Sequence, residues 1–234
     1  MTTHVTAIIA AAGEGQRMGG SVPKPYVSLA GRPIVLRTLD RCLAAASIKE
    51  VILVVAASEL RRCEMLLTND PALKGRPWRC QSGGATRQES VKRGLEALDS
   101  TTEIVLIHDA ARPLVSPDLI DRCVQLTAEK GAVVLGVPVR DTIKVVSKDH
   151  WIQSTPDRNS LWEIQTPQVF HRELIMEAHR AAAQAKIQAT DDAMLVERIG
   201  KPVFVLAGNR SNLKITTAED IAIAEALIER SVFR

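Results

Sequence analysis

The sequence predicts an α/β fold, a mostly parallel, twisted sheet with helices on both faces. Three observations carry this expectation. Short β-branched runs alternate with helical patterns along most of the 234 residues. A hydrophobic fraction of 46% is ample for a core, and with aromatics at 3% aliphatic side chains must build it. No internal repeat, linker or low-complexity tract divides the chain, so 1–234 reads as a single domain.

Taken in order, residues 5–9 form the first, buried strand. Residues 33–46 read as a helix opened by Pro33 at its first turn. Residues 51–56 are the second strand, and Ser58 caps the helix that follows. Residues 86–98 are helical, with Thr86 placed to cap them. A strand at 104–107 ends at His108-Asp109. Ser116-Pro117-Asp118 starts a helix to about Lys130, and 132–137 is a strand.

The rhythm breaks between Pro138 and Pro167. Segments 142–146 and 151–154 flank the polar turn Ser147-Lys148-Asp149-His150, which reads as a β-hairpin. It carries Val145, Val146, Trp151 and Ile152, too little for a core of its own. The arm, residues 138–168, must therefore pack on its own body or on another subunit. An alanine-rich amphipathic helix follows at 171–187, then a shorter helix at 191–199, a strand at 203–207 and a closing helix at 217–230.

Composition excludes several classes. A net charge of +3 is too mild for nucleic-acid binding and suits a small anionic substrate held by local cations. The longest apolar run, 51–57, is too short for a bilayer, and Met1-Thr2-Thr3-His4 has no signal or transit character. Cysteines 42, 63, 80 and 123 form no Cys-x-x-Cys pair and read as reduced, mostly buried thiols of a cytosolic protein. Histidines 4, 108, 150, 171 and 179 lack metal-ligand spacing, so no zinc site is expected.

Function is written first in the loop after the first strand. Residues 10–24 read Ala-Ala-Ala-Gly-Glu-Gly-Gln-Arg-Met-Gly-Gly-Ser-Val-Pro-Lys. Four glycines let backbone N–H groups approach a phosphate, and Arg17 and Lys24 can neutralise it. No Gly-Lys-Ser/Thr ends the loop, so it is not a Walker A, and its glycine spacing differs from the dinucleotide fingerprint. In parallel sheets ligands bind beyond the carboxyl ends of the strands, where the Gly13 and Asp109 loops both lie. At such a place Asp109 is a candidate contact for substrate or magnesium, unless the phosphates alone hold the ion.

Further segments complete an ordered set. They are Ser82-Gly83-Gly84-Ala85-Thr86-Arg87-Gln88-Glu89-Ser90-Val91, His108-Asp109-Ala110-Ala111-Arg112-Pro113 and Pro138-Val139-Arg140-Asp141-Thr142. Asp157-Arg158-Asn159-Ser160-Leu161-Trp162, Gln165-Thr166-Pro167-Gln168-Val169-Phe170 and Asn212-Leu213-Lys214-Ile215-Thr216 follow. With the opening loop, this set resembles the 2-C-methyl-D-erythritol 4-phosphate cytidylyltransferases across essentially the whole chain.

The resemblance implies a Rossmann-like nucleotidyltransferase fold whose arm dimerises, and transfer of CMP from CTP to methylerythritol phosphate with release of pyrophosphate. It implies Mg²⁺, or Mn²⁺, as cofactor. Arg17 and Lys24 map onto the pair that stabilises the transition state. Ala11, Ala12, Gly13, Gly84, Ala85 and Ser90 map onto the cytosine site. Ala85 stands where some relatives carry an acidic residue, at a contact made largely through backbone. Arg158, Lys214, Thr142 and Thr190 map onto contacts to methylerythritol phosphate. Arg112 either braces the fold or contacts the substrate phosphate, and His108 reads as a packed residue. Outside the resemblance, Lys214 reads as a solvent-facing lysine of a strand.

The same residues bear on three rival readings. A ribitol-5-phosphate cytidylyltransferase shares the chemistry, but Asp-Ala-Ala-Arg-Pro and the Arg158–Trp162 segment favour methylerythritol. A nicotinamide-dependent oxidoreductase has no use for both Arg17 and Lys24 at a pyrophosphate, and lacks an acidic residue where the ribose needs one. A non-catalytic nucleotide sensor would not need to retain Arg17, Lys24, Arg158 and Lys214 together.

Overall fold

The structure is a computed structural model that describes residues 3–13 and 23–230. Its first strand, β1 (Val5–Ala11), lies within a seven-stranded sheet. The short strands β2 (Ser28–Leu29) and β3 (Arg32–Pro33) pair separately and lead into helix α1 (Ile34–Ala44). Strand β4 (Ile48–Val55), helix α2 (Leu60–Thr68), strand β5 (Trp78–Ser82) and helix α3 (Arg87–Glu96) follow. Next come β6 (Ile104–Asp109), α4 (Pro117–Lys130) and β7 (Ala132–Pro138). The arm holds β8 (Val145–Val146) and β9 (Ile152–Ser154), and β10 (Trp162–His171) returns to the sheet. Helices α5 (Arg172–Gln184) and α6 (Asp192–Arg198), strand β11 (Phe204–Ala207) and helix α7 (Ala218–Glu229) close the chain.

The sheet order is β11-β7-β10-β6-β1-β4-β5. All neighbours are parallel except β10, which runs antiparallel to both β6 and β7. From β1 the chain builds outward through β4 and β5, then crosses back to place β6 on the other side of β1. The crevice beyond the carboxyl ends of β1 and β6 is thus the topological switch point, the place where open α/β sheets bind ligands.

Side-chain alternation along the strands divides the core in two. Ala7, Ile9, Leu53 and Leu106 meet Leu39 of α1, Cys63 of α2 and Cys123 of α4 on one face. Ile8, Ile52, Val105 and Phe170 meet Val91 of α3, Ile175 of α5 and Leu195 of α6 on the other. A smaller cluster, with Leu29, Leu114, Ile215 and Ala224, packs α7 against the β2 region. Gly94 brings α3 close to the sheet. A Cβ there would stand 2.7 Å from Ile8 Cγ2 and 3.2 Å from Val54 Cγ2.

Caps agree with the sequence in two places and differ in a third. Thr86 accepts the Glu89 N–H at the start of α3, and Ser116 accepts the Leu119 N–H at the start of α4. Ser58 does not cap a helix. It lies inside a 3-10 turn, Ala57–Glu59, and α2 begins at Leu60 without a side-chain cap.

Two strands of the central sheet, β5 and β10, were not expected. With them, the parallel sheet gains an antiparallel member and the arm narrows. Trp162, Glu163 and Ile164 pair with Pro138, Val137 and Gly136, so the excursion from the sheet is shorter than 138–168. The hairpin is present, with β8 antiparallel to β9, and each strand is shorter than the expected segment. Lys214 sits outside any helix or strand, in a loop whose Ile215 N–H donates to the Ala111 carbonyl at 2.8 Å. All four cysteines are free; Cys42, Cys63 and Cys123 are buried and Cys80 is half-buried.

Substituting Gly94 by valine should destabilise the fold by about 1–3 kcal/mol, the usual cost of overpacking a well-filled core. Urea denaturation checks this. An unchanged midpoint would mean that α3 does not press on the sheet as closely as the contacts state.

Candidate active site

Beyond the switch point lies an open cavity of about 990 Å³. Ala11, Ala12 and Gly13 reach it from the end of β1, and Gly84, Ala85 and Ser90 from the loop and helix after β5. Asp109 reaches it from the end of β6, and Lys24 and Lys214 complete the described lining among the expected site residues. Arg17 lies outside the described residues. Arg112, Thr142, Arg158 and Thr190 do not line the cavity of their own chain.

The small residues have a steric reason. At Gly83 a Cβ would stand 2.6 Å from the Ala12 Cβ and 2.7 Å from the Ser90 hydroxyl, so the loop after β5 can lie against the loop after β1 only as glycine. The N–H groups of this loop are already used. Gly83 N–H donates to the Val55 carbonyl, Gly84 N–H to Ser90 Oγ at 3.1 Å, and Ala85 N–H to Glu89 Oε2 at 2.8 Å. Arg93 donates to the Gly83 carbonyl. Ser90 therefore shapes the loop, and the N–H groups of Gly83, Gly84 and Ala85 are engaged within the protein.

Asp109 is the electrostatic centre. Its Oδ1 accepts from Arg87 Nε at 3.0 Å and its Oδ2 from Lys214 Nζ at 2.7 Å. Burial alone would raise the carboxyl's pKa, but Arg87 and Lys214 hold it well below the usual carboxylate range. Arg87 also donates through Nη1 to Asp192 Oδ2 at 2.7 Å. Asp192 is buried and takes His179 Nε2 at 3.0 Å on its other oxygen, while its N–H donates to Gln168 Oε1. Four charged side chains of alternating sign thus run from the start of α6 to the cavity.

His108 is packed behind this group, as expected. Burial pushes its pKa down from 6.5 to about 4, so the ring is neutral near pH 7. The hydrogen bonds then fix the tautomer. Nε2 lies 3.0 Å from the Arg112 carbonyl, which can only accept, so Nε2 carries the proton. Nδ1 must accept, which makes the Thr166 hydroxyl its donor at 3.0 Å. Thr166 Oγ1 in turn accepts the Asp109 N–H at 3.0 Å, locking the backbone of Asp109 in place.

The remaining expected residues have other partners. Arg112 donates to the Asn212 carbonyl at 2.7 Å and so braces the Lys214 loop, which favours its structural role. Arg158 is exposed on the arm and donates to the Arg140 carbonyl at 3.0 Å. Thr142 is exposed on the arm, and exposed Thr190 has its hydroxyl 3.9 Å from Met194 Sδ.

A metal bound by Asp109 does not fit this arrangement. Both carboxylate oxygens already face cations at 3.0 Å or less, which would repel a divalent ion. Among the described residues no group of three His, Cys, Asp or Glu side chains could hold a metal. The described donors therefore make no resident metal site here.

Sequence reasoning missed Arg87, Asp192, His179, Thr166 and Gln168. Arg87, Thr166 and Gln168 lay inside quoted motifs but received no place in the site. One signal was available: Arg87 is the first residue of α3, where a cation opposes the helix dipole.

A cavity large enough for a nucleotide, at the switch point of this sheet and edged by lysines, suits a phosphate-bearing ligand. Comparison with known proteins narrows the class. The family model described as IspD, 2-C-methyl-D-erythritol 4-phosphate cytidylyltransferase, matches residues 5–230. The chain is 45% identical over 225 residues to the protein of that name from Pelotomaculum thermopropionicum, covering 96% of this chain and 94% of that one. It is 41% identical over 227 residues to the one from Caldanaerobacter subterraneus, covering 97% and 100%. Among solved structures, 4-diphosphocytidyl-2C-methyl-D-erythritol synthase from Anaerococcus prevotii superposes with a TM-score of 0.86 at 33% identity, covering 97% of each chain. The chain belongs to the 2-C-methyl-D-erythritol 4-phosphate cytidylyltransferase family and is a cytidylyltransferase of isoprenoid precursor synthesis.

The His108 geometry makes a pH prediction. The unfolded chain binds a proton on this histidine below about 6.5, and the folded chain only below about 4. Stability should therefore be fully present above 6.5 and fall as pH drops from 6.5 toward 4, by on the order of 3 kcal/mol. Denaturation midpoints measured across that window should show a flatter slope for His108→Gln than for the parent. Equal slopes would contradict the neutral, buried ring.

Proposed function

We propose that the cavity binds CTP, as its magnesium or manganese complex, beside methylerythritol phosphate, and that the second substrate's phosphate attacks the α-phosphorus of CTP in line. The attacking oxygen is already ionised, so no general base is required. Both reactants are anions, and the barrier is largely electrostatic. Lys24 and Arg17 offset the repulsion and stabilise the charge of the five-coordinate transition state. Lys214 grips the methylerythritol phosphate. The divalent ion belongs to the triphosphate and reduces its charge, consistent with an Asp109 already engaged by two cations.

The observation that carries this reading is the convergence of Lys24, Lys214 and the small-residue loops on one cavity. Base selection follows from the loop after β5. With their N–H groups used internally, Gly83, Gly84 and Ala85 offer a base carbonyl acceptors, which suit the exocyclic amino group of cytosine. Ala11, Ala12 and Gly13 bring the β1 loop against the same edge.

The reading includes a twofold dimer of single-domain, cytosolic subunits. On the arm Val145, Val146, Trp151 and Ile152 are 44%, 46%, 77% and 63% exposed, an apolar surface that a two-stranded hairpin cannot cover alone. Packing of two arms against each other would bury it isologously. Arg158 and Thr142, which do not line their own cavity, would then serve the partner's phosphate site. Thr190 is retained as a methylerythritol contact. No role in nucleic-acid binding is assigned, and no helix of the described residues is long and apolar enough to cross a membrane.

Lys24→Ala and Arg17→Ala should each lower kcat by roughly 100- to 1000-fold, the usual loss of a group that stabilises transition-state charge, with a much smaller change in KM for methylerythritol phosphate. Steady-state release of pyrophosphate measures both. Near-normal turnover of Lys24→Ala would remove the proposed mechanism.

A mixed dimer tests the arm. An Arg158→Ala chain and a Lys24→Ala chain, each inactive alone, are combined. If Arg158 acts across the interface, one site of the mixed dimer keeps both residues and activity partly returns. Every site stays broken if Arg158 acts within its own chain, and a monomer by light scattering would sink the arrangement.

A further inference from the structure

Arg87 occupies a position that local rules disfavour. It is the first residue of α3, where the helix dipole repels a cation, and its side chain is turned inward to join two carboxylates from distant segments. Nε meets Asp109 and Nη1 meets Asp192, while Nη2 is buried with no hydrogen-bond partner. The planar guanidinium meets the two carboxylates with donors in fixed directions, whereas a lysine ammonium is a point charge on a flexible stem.

The far end of this bridge is rigid. Asp192 receives His179 Nε2, and Gln168 Oε1 accepts the N–H groups of Asp192 and Ala193. Gln88, the next residue of α3, donates to the Ile187 carbonyl and accepts the Ala189 N–H, tying α3 to the segment that leads into α6. The near end is not rigid by itself. The Lys214 loop is braced by Arg112 and by the Ile215 N–H, but the long lysine stem keeps rotamer freedom of its own.

We infer that Arg87 is a positioning residue for the second substrate: it fixes Asp109 against Asp192, and through Asp109 it sets the place of the Lys214 ammonium. Arg87 also supplies a second positive charge to Asp109. Without it, Lys214 would be the main counter-ion of a buried carboxylate and less available to a phosphate. The inference rests on the proposed grip of Lys214 on methylerythritol phosphate.

Arg87→Met, Arg87→Lys and Lys214→Ala are compared by steady-state kinetics with each substrate varied in turn. Arg87→Met should raise KM for methylerythritol phosphate about tenfold and leave KM for CTP within about twofold. Arg87→Lys, which restores the charge but not the fork, should recover part of the loss. A residue that merely stabilises the fold would lower the active fraction without splitting the two KM values. If Arg87→Met shows an unchanged KM for methylerythritol phosphate, or an equal rise for both substrates, the inference is overturned. If Lys214→Ala raises that KM and Arg87→Met does not, the inference fails and the reading of Lys214 stands. If neither raises it, both fail. Should Arg87→Met not fold, Arg87→Lys decides on the same split: a selective rise supports the inference and no rise overturns it.

Discussion

The ion pair of Asp109 with Arg87 and Lys214 is the interaction on which the rest of the site depends. A carboxylate buried at a strand end is costly unless it is paired and hydrogen-bonded. Here the cost is offset from three directions. Arg87 comes from α3, Lys214 from the loop before α7, and the backbone of Asp109 is held by Thr166 of β10. Each partner is remote in sequence, so forming the pair also fixes where three segments stand. The cavity takes its charged wall from this requirement.

The same demand explains why β10 is polar where it is most deeply placed. Gln165, Thr166 and Gln168 are buried in the middle of a ten-residue strand. Thr166 serves His108 and Asp109, Gln168 serves Asp191, Asp192 and Ala193, and Gln165 accepts from Asn212. Buried polar side chains are tolerated when their partners are supplied, and a connected set of them specifies one arrangement more sharply than apolar packing does. Antiparallel insertion between β6 and β7 puts Thr166 at the Asp109 end of β6 and Gln168 at the start of α6, while Gln165 faces Asn209 and Asn212.

That polarity is also why part of the fold was invisible from sequence. Strands β1, β4, β6 and β7 are continuous β-branched runs and were legible as such, as were the helices that alternate with them. The β5 segment Trp78-Arg79-Cys80-Gln81-Ser82 has no apolar run because it forms a half-buried sheet edge. Strand β10 was hidden by its buried glutamines, Thr166 and Pro167, which read as loop chemistry. In the site, the loop after β1 and Asp109 at its strand end were marked by the residues themselves, Ala11, Ala12, Gly84 and Ala85 by the resemblance, and all of these named residues line the cavity. Arg87 and Asp192 were not marked, because their pairing spans 105 residues and is decided by how α3 and α6 pack. The Arg158 and Thr142 assignments rest on resemblance, since within one chain neither side chain lines the cavity.

Helix α3 links the two halves of the proposed reaction. Its Ser90, Glu89 and Arg93 shape the loop assigned to the base, and its first residue joins Asp192 to Asp109. Gly94 then lets the helix press directly on Ile8 and Val54. A displacement of α3 would move the nucleotide loop and the Lys214 counter-ion together. Close packing at Gly94, together with the ion pairs of Arg87, would keep the two proposed substrate positions in a fixed relation. In-line attack needs such a relation, because catalysis by anion stabilisation works only when the cations already stand where charge will develop. Helix α3 serves this by shaping one loop through Ser90, Glu89 and Arg93 and by pairing Arg87 with Asp109, which in turn holds the Lys214 ammonium.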